Sequence, residues 1–193
     1  MCDNETRSIV VDNLRDRFEA VSSIGIASVY CNYKEESEQT LVNLLAGLWL
    51  QLVQRCDQLS DDVKDLYYKH KDKDTLPKLA DVEKVLNTKI GRYERVFIIV
   101  DALDECAGSI RMDFLRKVQA LQPKANLLVT SRFDDTIARE FESCPRLPIG
   151  ASTEDVLTYV SSRISGQLAK HTNRDPSLAR EIEEAVVTKA QNM

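Results

Sequence analysis

The sequence predicts an α/β fold in which a mostly parallel sheet is flanked by helices. Residues 96–100 are apolar without alternation, as strands covered on both faces are. Residues 126–132 read as a second short buried strand, which ends in polar residues. The segments around them repeat apolar residues every three or four positions, which is typical of amphipathic helices. Strands therefore alternate with helices, and this order favours parallel strands joined by helical crossovers.

The first half of the chain is predicted to hold one strand among four helices. The strand, GIASVYCNY, is apolar and rich in β-formers, whereas each helix separates its apolar residues from its charges. Trp49 belongs to the apolar stripe of the longest helix, so we assign it to the core. The elements are a helix at 8–18, a buried strand at 25–33, a long helix at 38–59, and helices near 60–71 and 79–92.

The second half continues the alternation after the strand at 96–100. Ser152 is expected to cap a helix, and acidic residues in the first turn of that helix complement its positive end. The elements are a helix at 109–121, a short buried strand at 126–132, a helix at 134–142, a weak strand at 146–150, and helices at 152–164 and 176–190.

Composition argues against several classes of function. The 193 residues are 43% hydrophobic and 30% charged, with a formal net charge of −5. No nucleic-acid partner is expected, since phosphate attraction needs a basic surface, and the basic run at 69–73 is predicted to be a solvated helix end. No stretch approaches the length of a membrane-spanning segment, so no membrane association is expected.

Cysteine and histidine usage argues against a zinc centre and for a reducing compartment. The five cysteines are scattered without a CxxC pair, and the two histidines lie near no cysteine. A zinc site needs clustered ligands. Dispersed thiols in odd number are typical of intracellular proteins, and the N-terminus has no apolar signal core, so we expect a cytoplasmic protein.

The stretch VFIIVDALDEC runs an apolar strand directly into three acids, Asp101, Asp104 and Glu105. The next predicted strand ends in Thr-Ser-Arg, with Arg132 last. Ligands of open α/β sheets gather outside the carboxyl ends of the strands. Mg²⁺ relieves the repulsion among such carboxylates and prefers one or two of them plus phosphate oxygens. Two interpretations stay open: metal–phosphate chemistry, or a solvated turn whose acids cap the next helix.

The same residues carry a resemblance to a known family. The strand followed by DALDE is similar to the Walker B segment of NACHT-type NTPases, which are signal-transducing (STAND) P-loop ATPases, and NLLVTSR resembles their sensor strand. The chain also contains SIVVDNLRDRF and VYCNYKEESEQTLVNLLAGLWLQL, which come before the DALDE strand. Taken together in this order, the segments resemble the NACHT domains of large fungal proteins with C-terminal ankyrin-like repeats. The resemblance covers about residues 8–164 and implies a three-layer, P-loop NTPase-like sheet flanked by helices.

The resemblance also implies roles for individual residues. Asp101 would hold Mg²⁺ through water, and Asp104 and Glu105 would polarise the attacking water, with the choice of base between them open. Arg132 would approach the γ-phosphate and respond to hydrolysis. These groups act by positioning and charge stabilisation. Thr130 and Ser131 are expected to shape the turn.

The P-loop motif GxxxxGK[ST] does not occur in these 193 residues. In the family its backbone N–H groups and lysine hold the phosphates. Aligned on the family, Asp3 falls near the place of that lysine and Asn4 near that of the hydroxyl, so we expect this chain by itself to bind Mg²⁺ and ATP weakly or not at all. Ala102, where many NACHT proteins carry Gly, is a milder departure that the fungal group shares.

The resemblance divides the chain into two parts. Residues 1–150 correspond to a partial NACHT core without Walker A and without the family's first, central strand, and residues 151–193 to the start of the helical lid. The strand at 146–150 is expected to lose its neighbour and expose apolar surface. A truncated reading frame is one expectation, and a genuine short protein that uses a partner's strand is the other.

Three hypotheses of function follow. The leading one is part of an ATP-driven NACHT switch, in fungal non-self recognition or programmed cell death, in which hydrolysis resets an oligomerising state. The alternative is a non-enzymatic interaction module that self-associates or binds intact NACHT-domain proteins. The third is phosphotransfer through Asp101, which Leu103 disfavours because the phosphatase pattern DxDx[TS] needs an acid there. Cys106 is assigned to packing, because nearby carboxylates are expected to raise the pKa of its thiol.

Overall fold

The computed structural model describes residues 9–54, 63–64, 68, 70–71, 75–150, 152–166, 168–172 and 175–190. They form two compact units, residues 1–140 and 141–193. In the first unit the elements are α1 (Ile9–Arg17), β1 (Ile24–Tyr30), α2 (Leu41–Gln54), α3 (Leu79–Gly91), β2 (Arg95–Asp101), α4 (Gly108–Gln119), β3 (Ala125–Val129) and α5 (Asp135–Glu140). In the second they are α6 (Thr153–Gly166), α7 (Ala169–Thr172) and α8 (Pro176–Ala190).

The first unit is built on a parallel sheet with strand order β1-β2-β3. The central strand, β2, pairs Asp101 with Tyr30 of β1 and Val100 with Val129 of β3. Its apolar run is buried on both faces, which explains why the sequence of this strand does not alternate. The predicted α/β fold with a parallel sheet flanked by helices is therefore confirmed.

Successive residues of β1 show how helices cover the two faces of the sheet. On one face Ile26 packs with Val11 of α1 and Ile99 of β2, and beside them Phe18 stacks on Phe97 with 5.7 Å between ring centroids. On the other face Gly25 lies so close to α2 that a Cβ there would come within 2.9 Å of the Leu52 side chain. Alternating side-chain directions along the strand thus anchor both helical layers.

The two edges of the sheet differ. At the β1 edge the Gln51 side chain of α2 accepts a hydrogen bond from the Ser28 N–H (3.0 Å) and donates one to the Ser28 carbonyl (2.7 Å), so backbone groups that would face solvent are paired. At the β3 edge only Ala125 is buried, and Leu128 is 42% exposed. The prediction of a buried strand at 126–132 was therefore wrong in burial and in extent, because an edge strand presents one side to solvent.

Further boundaries also depart from the predictions. Residues 146–150 form no strand, and Leu147 and Ile149 are 82% and 85% exposed. The prolines at 145 and 148 supply no N–H to a ladder, which explains the failure of that prediction.

Two predictions in the first half of the chain also need correction. The strand predicted at 25–33 ends at Tyr30, and Trp49 is half-buried rather than a core residue. Much of the helix predicted near 60–71 lies outside the described residues.

The second unit packs α6 against α8. Val160 and Ile164 of α6 are buried, and the Ser161 hydroxyl donates to Glu183 of α8 at 2.7 Å. The expected cap is confirmed, because the Ser152 Oγ accepts from the N–H of Asp155 at 3.1 Å and the Asp155 carboxylate accepts from Ser152 in return. Among the described residues, no helix is both long and apolar enough to cross a membrane.

Candidate functional site

Two polar turns leave the sheet at the same edge. The turn after β2 carries Asp101, Asp104 and Glu105, and the segment after β3 carries Thr130 and Arg132. The strands are parallel neighbours, so their carboxyl ends lie side by side. The structure therefore brings together the residues that the sequence predicted as a site.

Thr130 fixes the start of the acidic turn. Its hydroxyl donates a hydrogen bond to Oδ1 of Asp101 and accepts one from the N–H of Ala102 at 3.0 Å. Its carbonyl accepts from the N–H of Leu103 at 2.9 Å. One residue thus holds three consecutive positions of the turn and orients the Asp101 carboxylate, in agreement with the turn-shaping role expected for Thr130.

The turn requires a left-handed backbone at Ala102, where φ is 54° and ψ is 49°. Glycine adopts this conformation without steric cost, whereas the Cβ of alanine crowds the following carbonyl. Alanine at this position stores a small amount of strain in the turn.

Replacing Ala102 with glycine is expected to raise the free energy of unfolding by about 0.5–1 kcal/mol, because relief of the left-handed strain exceeds the entropy that glycine adds to the unfolded chain. Urea denaturation followed by the fluorescence of Trp49, the single tryptophan, would measure the change. Ala107, with φ of −50°, offers a matched control: Ala107→Gly should leave stability unchanged or lower it. Equal effects of the two substitutions would contradict the strain at Ala102.

Arg132 joins the two turns. Its backbone N–H donates to Oδ1 of Asp104 at 3.0 Å, and its guanidinium lies 3.7 Å from Oδ2 of Asp104 and 3.3 Å from Oε1 of Glu105. The arginine side chain is 81% exposed, whereas both acids are largely covered. Exposed ion pairs contribute only about 0–1 kcal/mol, so the guanidinium can leave the acids for another anion at small cost.

The carboxylates of this edge do not form a complete metal site by themselves. In the part of the chain that the structure describes, no three acidic, histidine or cysteine side chains are grouped closely enough to hold a metal ion. Asp101, oriented by Thr130, nevertheless suits Mg²⁺, which keeps several waters and needs only one or two protein carboxylates when phosphate oxygens complete its shell. The donor set therefore fits a metal that arrives with a phosphate ligand.

The sequence analysis did not predict a role for Arg111, whose side chain donates hydrogen bonds to backbone carbonyls of the turn that follows β2. Its Nη2 donates to the carbonyl of Asp104 at 2.6 Å and to that of Cys106 at 3.0 Å, and its Nη1 lies 3.3 Å from Oδ2 of Asp134. The side chain is only 18% exposed. One sequence signal was available, because a cation near the N-terminal end of a helix (α4) opposes the helix dipole and needs a compensating partner.

Asp134, also missed as a site residue, links Arg111 to the start of α5. The pKa of its carboxyl is lowered, first by the hydrogen bond from the Thr136 hydroxyl, then by the N–H groups of Ile137 and Thr136, with a further contribution from the Arg111 charge. A lowered folded-state pKa stabilises the fold at neutral pH. This stabilisation is lost as the pH falls through that lowered value.

Two buried thiols lie under the same edge. Cys31 follows β1, and its N–H donates to the carbonyl of Asp101 at 3.0 Å, while Cys106 closes the acidic turn. The expectation of a raised pKa at Cys106 was wrong: its pKa is lowered, because a hydrogen bond with Cys31 and the charge of Arg111 favour its thiolate and outweigh burial. The pKa of Cys31 is raised, chiefly by that same hydrogen bond and then by burial.

Comparison with known proteins yields one family. The family model described as Nephrocystin 3, N-terminal, matches residues 6–132, about two thirds of the chain. The matched span contains the whole three-stranded sheet and ends at Arg132, so it includes every residue of the predicted site. No curated protein matches the chain.

Proposed function

The chain belongs to the family described as Nephrocystin 3, N-terminal, and we propose that it forms part of an ATP-dependent signalling switch of the NACHT type. The family description names no activity, so the proposal rests on the site and on the resemblance of DALDE and NLLVTSR to the Walker B and sensor segments. In the fungal proteins that the sequence resembles, such a switch would serve non-self recognition or programmed cell death.

One observation carries the proposal. The guanidinium of Arg132 contacts both Asp104 and Glu105 at the carboxyl edge of a parallel sheet, directly beside the end of the strand that carries Asp101. A solvated turn that only caps the next helix would not need an arginine from a neighbouring strand. An exposed cation held loosely by two acids is suited to exchange them for the oxygens of a phosphate.

The proposed roles follow from these positions. Asp101, oriented by the hydroxyl of Thr130, would hold Mg²⁺, which would supply the positive charge that a triphosphate requires. Asp104 or Glu105 accepts a hydrogen bond from the attacking water and orients it. Arg132 moves from these acids toward the terminal phosphate and stabilises the charge that develops there. Phosphoryl transfer leaves the protein such positioning and electrostatic tasks.

Binding of nucleotide by this chain alone is proposed to be weak, since the 193 residues contain no GxxxxGK[ST] cradle. We expect a dissociation constant for Mg·ATP of about 1 mM or weaker, which corresponds to about 4 kcal/mol. In a ¹⁵N-labelled chain, millimolar Mg·ATP should shift the amide signals of residues 101–106 and 130–132, and Asp101→Asn should abolish these shifts by removing the metal-holding charge.

Asp113→Asn is the matched control, because Asp113 lies on the exposed surface of α4, paired only loosely with Arg116. It changes the net charge equally and should leave the shifts in place. Shifts that survive Asp101→Asn, or that map away from these two turns, would contradict the proposed site. Micromolar binding in a calorimetric titration, abolished by Asp101→Ala, would instead retain the site and overturn the weak-binding prediction.

The open side of the sheet favours a second candidate, a non-enzymatic interaction module that associates with its own copies or with intact NACHT-domain proteins. β3 is an edge strand with Leu128 exposed, and exposed edges pair readily with further strands. Light scattering after size exclusion separates the two candidates when combined with the titration. A chain that self-associates and shows no Mg·ATP-dependent shifts would favour the module.

A further inference from the structure

The outer edge of β3 offers backbone groups to a further strand. Lys124 and Thr130, which flank β3, both bond β2 through their backbone, so the even-numbered residues of β3 face β2. Because backbone groups alternate in direction along a strand, those of Leu127 and Val129 face away from the sheet. In the parts of the chain that the structure describes, no other backbone group bonds the N–H or the carbonyl of Leu127 or Val129.

This edge lacks the devices that usually prevent strand addition. Natural edge strands carry charges, prolines or bulges, or another element covers them. β3 has the sequence ANLLV and pairs consecutive residues with β2 along its whole length, so it contains no charge, no proline and no bulge. At the opposite edge, the Gln51 side chain already occupies the backbone groups of Ser28. The sheet is therefore closed at β1 and open at β3.

The charges at the two ends of the sheet select the partner. Where β2 and β3 begin, cations outnumber acids, since Glu94 is accompanied by Arg92, Arg95 and Lys124. Where these strands end, acids outnumber cations, since Arg111 and Arg132 are accompanied by Asp101, Asp104, Glu105, Asp134 and Asp135. Two identical strands related by a two-fold axis run antiparallel, so the start of each lies beside the end of the other. Pairing with a second copy of this chain therefore brings unlike charges together.

We propose that two copies of this chain pair through β3 about a two-fold axis, so that their two sheets become one continuous sheet. In the register that uses the outward groups of both residues, Leu127 of each copy exchanges two hydrogen bonds with Val129 of the other. Leu128, which is 42% exposed, then faces Leu128 of the second copy across the axis. This pairing rests on the interaction-module candidate, which it deepens, and does not depend on nucleotide binding.

Lys124 makes the pairing sensitive to salt. In the proposed register, this exposed lysine lies at the end of β3 of the second copy, where Asp104 and Glu105 share the guanidinium of Arg132. Two acids against one cation leave a net negative charge that attracts Lys124, and salt screens such exposed charges, so the dimer should weaken as the salt concentration rises. The paired strands are short, so we expect a dissociation constant of about 0.1 mM or weaker.

Sedimentation equilibrium of the full chain, at concentrations up to about 1 mM, tests the pairing. Leu128→Lys and Leu128→Glu each place like charges opposite one another across the axis, so each should weaken the dimer by about tenfold or more. An equimolar mixture of the two variants places unlike charges there and should restore association. Leu76→Lys is the matched control, since Leu76 is 87% exposed in the same unit, and it should leave the dimer unchanged.

Hydrogen exchange locates the contact. The amides of Leu127 and Val129 should exchange more slowly as the protein concentration rises, whereas the amide of Leu128 faces β2 and should not change. A chain that stays monomeric at the highest concentration, or a mixture of the two Leu128 variants that fails to associate, would overturn the pairing. Association that survives both Leu128 variants would overturn β3 as the contact surface while retaining the interaction module.

Discussion

Replacing Arg111 with methionine is expected to lower the free energy of unfolding by about 2–3 kcal/mol. Methionine keeps an apolar stem of similar length, but it removes the donors to the carbonyls of Asp104 and Cys106. A charge-assisted hydrogen bond contributes about 1.5–3 kcal/mol, and carbonyls left without a donor in a largely covered turn add to the loss. Urea denaturation monitored by Trp49, which lies on α2 of the same unit, would measure it.

Arg116→Met on the same helix is the matched control. Arg116 is 64% exposed and pairs with Asp113, three residues away, at 3.4 Å. Surface pairs of this kind contribute about 0–1 kcal/mol, so the control should change stability little. Losses of equal size at the two positions would show that the contacts of Arg111 with the turn do not stabilise it.

Hydrogen exchange would locate the effect of Arg111→Met within the molecule. The amides of residues 103–106 should exchange faster in the variant, because the turn loses the side chain that holds two of its carbonyls. Arg111 is a positioning residue in this scheme, since it contacts the backbone of the turn rather than the proposed ligand. Unchanged exchange in the turn despite lower global stability would place the effect elsewhere in the fold.

Truncating Phe114 to alanine is expected to have the largest effect on stability, a loss of about 3–5 kcal/mol. Phe114 lies on α4 and its side chain is fully buried. Removal of the ring forfeits its transfer free energy and leaves a cavity that the surrounding helices and sheet fill only in part. The same urea denaturation applies, and Phe114→Leu should lose less because it retains more of the buried volume.

Phe133 provides a control with identical chemistry. It lies one residue after Arg132 and is 87% exposed, so Phe133→Ala should change the free energy of unfolding by no more than about 0.5 kcal/mol. The pair isolates burial as the variable, since the same ring is removed in both. A large loss at Phe133 would mean that the ring is covered in solution by a surface that the described residues do not provide.

The sequence by itself determined the parallel sheet and the chemical character of its edge. The continuous apolar run of β2 can be buried on both faces only between helical layers, and acids directly after it must lie at the carboxyl end of a strand. The same reasoning placed Arg132 beside Asp104 and Glu105, because neighbouring parallel strands end at one edge. Both predictions rest on local patterns. The spacing of apolar residues and the charges within a few positions determine which segment forms the buried strand and where its polar residues lie.

Only the tertiary structure decided which distant groups support that edge. The Cys31 N–H meets the Asp101 carbonyl across 70 positions of the chain, and Arg111 meets Asp134 across 23 positions, so no local pattern records either contact. The half-exposure of β3 likewise depended on which neighbours were present to cover it. Hydrophobic periodicity specifies that a side chain is buried, but the partner it meets is set by how the elements pack.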